Sequence, residues 1–324
     1  MIVEKFIPPH PLKTPVLFLI FKRLDTTKQV FEQIKKAKPP RLCIAADGPR
    51  EYVEGEAEKV KTVREYVLSN IDWNCEVKTL FREKNLGCGK AVSEAITWFF
   101  ENEEQGIILE DDTVPSQSFF WFCEELLNRY KDEKKVWHIG GTNFQDGIIR
   151  GNGDYYFSAL NHIWGWASWA DRWKYYDFKL EKISDDSFLK KIFKSSKEYK
   201  YWKSIFEKMK SDKPIDTWDY QWTFTMWFNG GLAVLPNVNM VSNIGFCEDA
   251  THTKIENELS NKQKYELLIV KHPASVERNV TADEYTFKKV FYQGSFLMRG
   301  IKKIYRIFIS LWSFKKNYNK GVKQ

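Results

Sequence analysis

Between residues 16 and 109 the chain alternates short β-rich apolar runs with amphipathic segments of helical length, and this alternation narrows its fold more than any other feature. Runs at 16–21, 42–46, 76–81 and 106–109 read as strands. The segments between them, 26–38, 55–69 and 90–101, read as helices, the first opened by a Thr26-x-x-Gln29 capping box. Strands and helices that alternate in this way predict an α/β fold with a mostly parallel sheet flanked by helices. The pattern continues through a helix at Ser118–Tyr130 and a strand at 136–139 that ends in Gly140-Gly141.

Past residue 150 the period becomes less regular and tryptophan density rises. Trp164, Trp166, Trp169, Trp173, Trp202, Trp218, Trp222 and Trp227 fall within 64 residues. Helical patterns at 187–193, 198–210 and 219–228 precede a glycine pair, Gly230-Gly231, and a strand at 232–235. No internal repeat or low-complexity linker interrupts the chain. The expectation is one catalytic domain over residues 1–285, with a nucleotide half at about 14–135 and an acceptor half at about 136–285.

The strand at 106–109 ends abruptly in three carboxylates, Glu110, Asp111 and Asp112. Adjacent carboxylates repel one another unless positive charge gathers them, and a hard divalent cation such as Mn²⁺ or Mg²⁺ is suited to oxygen ligands. Acidic triplets also occur on solvated helix faces. This one directly follows a strand, where parallel sheets collect ligand groups.

Other strand ends fall on the same edge: Arg23, Asp47 and Asn85. Such an edge suits a nucleotide, with Asp47 accepting from base or ribose and Arg23 close by. Asp47 in Asp47-Gly48-Pro49 also suits a turn residue, and Arg23 a solvated charge. Neither GxGxxG nor GxxxxGK[ST] occurs; Phe21-Lys22-Arg23-Leu24-Asp25 follows the first strand instead. Diphosphate binding on this chain therefore calls for a metal.

Composition excludes other classes. With 43% hydrophobic and 29% charged residues, the chain is not disordered. The net charge of +7 is local: residues 298–324 hold eight Lys or Arg and no acid, and without them 42 basic residues stand against 43 acidic. A general nucleic-acid surface is disfavoured. Five scattered cysteines without a CxxC pair predict reduced, buried thiols in a cytosolic protein. No signal peptide is expected, and residues 15–21 are too short to span a membrane.

The motifs PVLFLIFKR (15–23), AADG (45–48), ILEDD (108–112), WHIGGTN (137–143), IWGW (163–166) and TWDYQW (217–222) together resemble the metal-dependent glycosyltransferases of the GT-A fold. The likeness is greatest to the N-acetylglucosaminyltransferase that initiates complex N-glycan branches and to related bacterial glycosyltransferases. It implies a nucleoside diphosphate sugar, most simply a UDP-sugar, as donor and a glycan as acceptor. Carried over, Asp112 binds the metal, Glu110 and Asp111 face the donor, and Asp219 is the general base of an inverting transfer. The enzyme named has paired Asp residues where this chain has Asp219-Tyr220, so Asp216 is the second choice. Asp219 also suits a plain helix cap. The family often brings a later His to the metal or diphosphate, which points to His252; a structural role is its alternative.

An indole face stacks on sugar C–H groups, making Trp166 the acceptor-site candidate with Trp218 beside the base, although most tryptophans of this segment are expected in the core. In the tail, Ile301, Ile304, Tyr305, Phe308, Leu311 and Trp312 share one helical arc, with Arg299, Lys302, Lys303 and Arg306 opposite. This predicts a C-terminal amphipathic helix over part of residues 286–324, lying on an anionic membrane or docked on the body. The membrane alternative suits a cytoplasmic enzyme peripherally associated with the inner face of the cell membrane, elongating a lipid-linked glycan. Rivals are a sugar-phosphate nucleotidyltransferase, which shares the sheet, and a non-catalytic carbohydrate-binding protein, which leaves the triplet unexplained.

Overall fold

After a short β1 (Ile2–Val3), the side chains of β2 (Val16–Ile20) are buried on both faces, as in a central parallel strand. It pairs in parallel with β3 (Arg41–Ala46) on one side and β5 (Gln105–Glu110) on the other, and β4 (Glu76–Phe81) extends the sheet beyond β3. Connecting these strands are α1 (Leu24–Ala37), α2 (Glu56–Ser69) and α3 (Cys88–Asn102). The computed structural model describes residues 2–3, 5–245, 261–269 and 271–292.

The second half completes the sheet with β7 (Val136–Gly140), β8 (Tyr155–Ser158), β9 (Trp166–Trp169) and β10 (Leu232–Pro236). The eight strands run β4-β3-β2-β5-β9-β7-β10-β8. Strand β9 is antiparallel to both neighbours, β8 is antiparallel to β10, and the remaining pairs are parallel. This is the mixed, mostly parallel sheet that the GT-A resemblance implies. Helices α4 (Ser118–Tyr130), α5 (Ala170–Trp173), α6 (Ser187–Ile192), α7 (Ser196–Met209) and α8 (Asp219–Phe228) follow in chain order. Directly after β5, β6 (Thr113–Pro115) forms an antiparallel ribbon with β11 (Val241–Asn243).

Two compact units divide after residue 283: Met1–Asp283, which holds the sheet, and Glu284–Gln324, of which residues 284–292 are described. His252, Cys247 and residues 298–324 lie outside the described residues. Among those described, no helix is long and apolar enough to cross a membrane.

Two expectations change, the start of α1 and the burial of all the cysteines. Helix α1 starts at Leu24, so Thr26 does not cap it; the Thr26 hydroxyl donates back to Arg23 O and Gln29 Nε2 to Asp25 O. The tryptophan-rich segment after Gly165 is a strand, with Trp166 paired to Ile108 and Gly140. Cys43 and Cys123 are buried free thiols, but Cys75 and Cys88 are partly exposed.

Candidate active site

The chain order β2, β3, β4 runs outward in one direction, and β5 then returns to the opposite side of β2. Connections therefore diverge at the carboxyl ends of β2 and β5, and a crevice opens at such a switch point. A cavity of about 670 Å³ lies there, lined by Lys22, Arg23, Asp47, Asn85, Glu110 and Asp111 among others. Its size is that of a small-molecule site.

The triplet is built as a tight turn. Thr113 Oγ1 accepts from Glu110 N and donates to Glu110 O, each at 3.0 Å, and Ile244 N donates to Asp112 O at 2.9 Å. Arg23, immediately before α1, turns its guanidinium onto this turn. Its Nη2 binds Asp111 and also Asp112 Oδ2 at 2.8 Å. Burial opposes the Arg23 charge, but Asp111 and Asp112 outweigh it and raise the guanidinium pKa. Arg23 lines the cavity, and its guanidinium is engaged by the triplet.

Glu110 differs from its neighbours. No described residue donates a hydrogen bond to its carboxylate, and burial, then the charges of Asp112 and Asp111, raise its pKa. Burial likewise raises Asp111, with Arg23 opposing. A half-buried carboxylate beside two others and without a partner calls for a proton or a cation. The donor chemistry therefore fits a hard divalent cation, although among the described residues no three His, Cys, Asp or Glu side chains converge as a metal cluster. Asp112, the predicted metal ligand, faces Arg23 and Gly245, whereas Glu110 and Asp111 line the cavity.

Asp47 is a turn residue that also faces the cavity. It accepts from Gly48 N at 2.9 Å and Leu86 N at 3.0 Å, closing two loops, and still lines the cavity. Asn85 ties the same loops by donating to Gly48 O at 2.8 Å. Gly48 is required there, because a side chain would run into the backbone of Glu83 and Lys84.

Asp219 is the first residue of α8, and its Oδ1 accepts from Thr217 Oγ1 and from Tyr220 N. Its charge is the last of the contributions that raise the Glu110 pKa, and it is not among the residues lining the cavity. Asp216 lines the cavity, but its carboxylate accepts from Cys88 N at 3.1 Å and Gly89 N at 2.8 Å, capping α3.

Trp166 and Trp218 are not acceptor platforms. Trp166 is 0% exposed and Trp218 2%. They stack on each other at 5.5 Å, and Trp166 stacks on His138 at 5.0 Å, with Trp173 and Trp222 against the same ring. The insertion of β9 between β5 and β7 carries Trp166 into the interior, where no sugar reaches it.

Among the cations that line the cavity and were not singled out by the sequence are Lys22 and Arg50. Both are held by Glu56, which is 1% exposed and begins α2. Glu56 accepts from Arg50 N at 2.8 Å, Arg50 Nε at 2.9 Å and Lys22 Nζ at 2.9 Å. Arg50 follows Asp47 by three residues on one loop, the only local hint of this cluster. The Arg50 side chain, helped by its backbone N–H and by Lys22, holds the Glu56 carboxyl down to about 2 despite burial. A depressed carboxyl stabilises the fold above its usual value of 4.5, and that contribution disappears as pH falls towards 2. Glu56→Gln is expected to cost about 2 kcal/mol at pH 7 and progressively less below pH 4, as measured by urea unfolding. A cost independent of pH would contradict the ion-pair origin.

No protein-family model matches the sequence, and a search of curated proteins finds no match. Among solved structures, the chain is similar to a mannosyltransferase from Pyrobaculum calidifontis in complex with GDP-Man and Mn²⁺. Identity is 10% and the TM-score 0.36, over 71% of this chain and 58% of that one. It is also similar to the inositol-1-phosphate CTP transferase from T. maritima, at 11% identity and a TM-score of 0.37, over 69% of this chain and 86% of that one. A UDP-glucose pyrophosphorylase complexed with UDP-glucose aligns at 12% identity and a TM-score of 0.31, covering 51% of this chain and 79% of its own. The chain thus spans less than two thirds of the mannosyltransferase.

Proposed function

We propose that the protein is a metal-dependent glycosyltransferase that moves a sugar from a nucleoside diphosphate donor to a glycan hydroxyl. The observation that carries it is the carboxylate turn at the end of β5, open to a cavity at the sheet's switch point, with Glu110 unpartnered among the described residues. Glu110 and Asp111, with Asp112 after rearrangement of its Arg23 contact, would hold a Mn²⁺ or Mg²⁺ ion. When bound, that ion would supply positive charge for the leaving diphosphate.

The remaining chemistry belongs to the chain. Asp219 takes the proton of the acceptor hydroxyl as its oxygen bonds to the anomeric carbon; the bond to the diphosphate breaks, and the diphosphate departs with the electron pair. Thr217 and Tyr220 N–H hold the Asp219 carboxylate in place. A nucleotidyltransferase is less well supported, because only residues 21–23 separate β2 from α1, too few for a glycine-rich phosphate loop.

Calorimetry of UDP, GDP and CMP with and without Mn²⁺ tests this proposal. In wild type, binding is expected to depend on metal, and Asp112→Ala should lose more than the tenfold or so typical of an outer-shell change. Unaltered binding in Asp112→Ala would remove its metal role. Asp219→Asn should retain donor binding and lose about 10² to 10⁴ in transfer. Full turnover in that variant would exclude Asp219 as the base.

A further inference from the structure

Strand β4 closes one edge of the eight-stranded sheet, and its outer side is unpaired. Glu76 N donates to Pro40 O at 2.9 Å and Arg82 N to Ala46 O at 3.0 Å, so the even-numbered residues of β4 turn their backbone groups toward β3. Val77, Thr79 and Phe81 therefore turn theirs outward, and among the described residues nothing bonds to them. Val77 is 37% exposed, and Thr79 is exposed beside it on the same face. Native edges are commonly guarded by charge, above all by lysine. Here Lys78 is drawn aside toward the end of α3, donating to Asn102 Oδ1 at 3.1 Å and pairing with Glu76 at 3.6 Å.

We propose that β4 is a dimerisation edge: a second copy of this chain adds its own β4 antiparallel, about a two-fold axis at Thr79, and continues the sheet.

The register follows from the charges. Outward-facing residues must meet outward-facing residues, so the axis passes through a residue of the strand. An axis at Glu76 or Lys78 sets that charge against its own copy, and one at Leu80 or Phe81 sets Lys78 against Arg82 or Lys84. Like charges directly opposite are destabilising, which leaves Val77 and Thr79. An axis at Val77 pairs only residues 76–78 of the strand, whereas one at Thr79 pairs residues 77–81. The Thr79 axis also sets Glu76 against the partner's Arg82, an opposite charge, and Val77 against the partner's Phe81. Phe81 lines an open cleft of about 520 Å³ between α2 and β4, together with Val60 and Leu68. The exposed Val77 of each copy thus meets an apolar surface that the other chain leaves open, as strand addition at a sheet edge requires.

The test is sedimentation velocity of the full chain, from about 1 to 100 µM, where protein pairs of ordinary affinity assemble. A species of twice the 38.4 kDa chain mass is expected. Val77→Lys, a change at an exposed side chain that symmetry repeats at two points, should weaken the dimer by about tenfold or more. Thr79→Pro removes an outward N–H that makes no bond within the chain and should abolish the dimer. Thermal unfolding checks that both variants keep the fold; if Thr79→Pro loses it, Val77→Lys alone decides. Oxidation of Thr79→Cys with diamide should join two chains, because opposed residues at the axis lie about 5.5 Å apart, within disulfide reach. Val77→Cys and the wild type should stay unlinked. A wild type that remains at 38.4 kDa throughout, or a dimer that neither Val77→Lys nor Thr79→Pro weakens, overturns the proposal. Cross-linking of Val77→Cys in place of Thr79→Cys overturns the axis at Thr79.

Discussion

Arg23→Ala should destabilise the protein by about 3–5 kcal/mol, the penalty for leaving a buried charge without its partner. Asp111 is 5% exposed, and in the folded protein its carboxylate is paired by the Arg23 guanidinium. The same guanidinium reaches Asp112 at 2.8 Å, so its removal leaves three adjacent acids with no paired cation among the described residues. Urea unfolding of Arg23→Ala, Asp111→Asn and the double variant would separate the effects. Removing the Asp111 charge should recover part of the stability lost with Arg23, giving a clear coupling between the two positions. If instead Arg23→Ala keeps wild-type stability and only weakens nucleotide binding, the side chain is a ligand contact, as its position at a strand end suggested.

Trp166→Ala should cost about 3–5 kcal/mol, as expected for emptying a large buried aromatic site. The indole is 0% exposed and packs against His138, Trp173, Trp218 and Trp222. Each of those rings would lose a face, and the space is too large and too rigidly walled to collapse fully. Its Nε1 has no hydrogen-bond partner among the described residues, so Trp166→Phe sacrifices packing alone and should be milder. Thermal unfolding of both variants distinguishes this from an acceptor platform. A platform would leave stability unchanged and raise the acceptor KM.

These two residues show where local sequence and tertiary context part. Trp166 sits in IWGW, after a glycine with a positive φ of 65°, and an aromatic beside such a glycine suits a loop near a ligand. Burial follows from β9 entering the sheet antiparallel between β5 and β7, a pairing set by residues far away in the chain. The Thr26 capping box failed for a related reason. Arg23 is drawn to Asp111 and Asp112, 88 and 89 residues ahead, and α1 begins right behind it at Leu24. The Lys22 and Glu56 contact, 34 residues apart, had no local pattern at all.

From sequence alone, periodicity determined the α/β class and the main strands and helices of the first half, because burial of one helix face or of a whole strand is written in residue spacing. It also determined that three carboxylates end β5, and the structure retains Glu110 and Asp111 on the cavity wall. Only the tertiary structure decided how those carboxylates differ. Arg23 pairs with Asp111 and Asp112 from another strand end, while Glu110 has no donor among the described residues. Spacing along a chain reports which face a residue occupies; the charge it meets there depends on which distant segment the sheet brings alongside, and that is settled only when the strands pair.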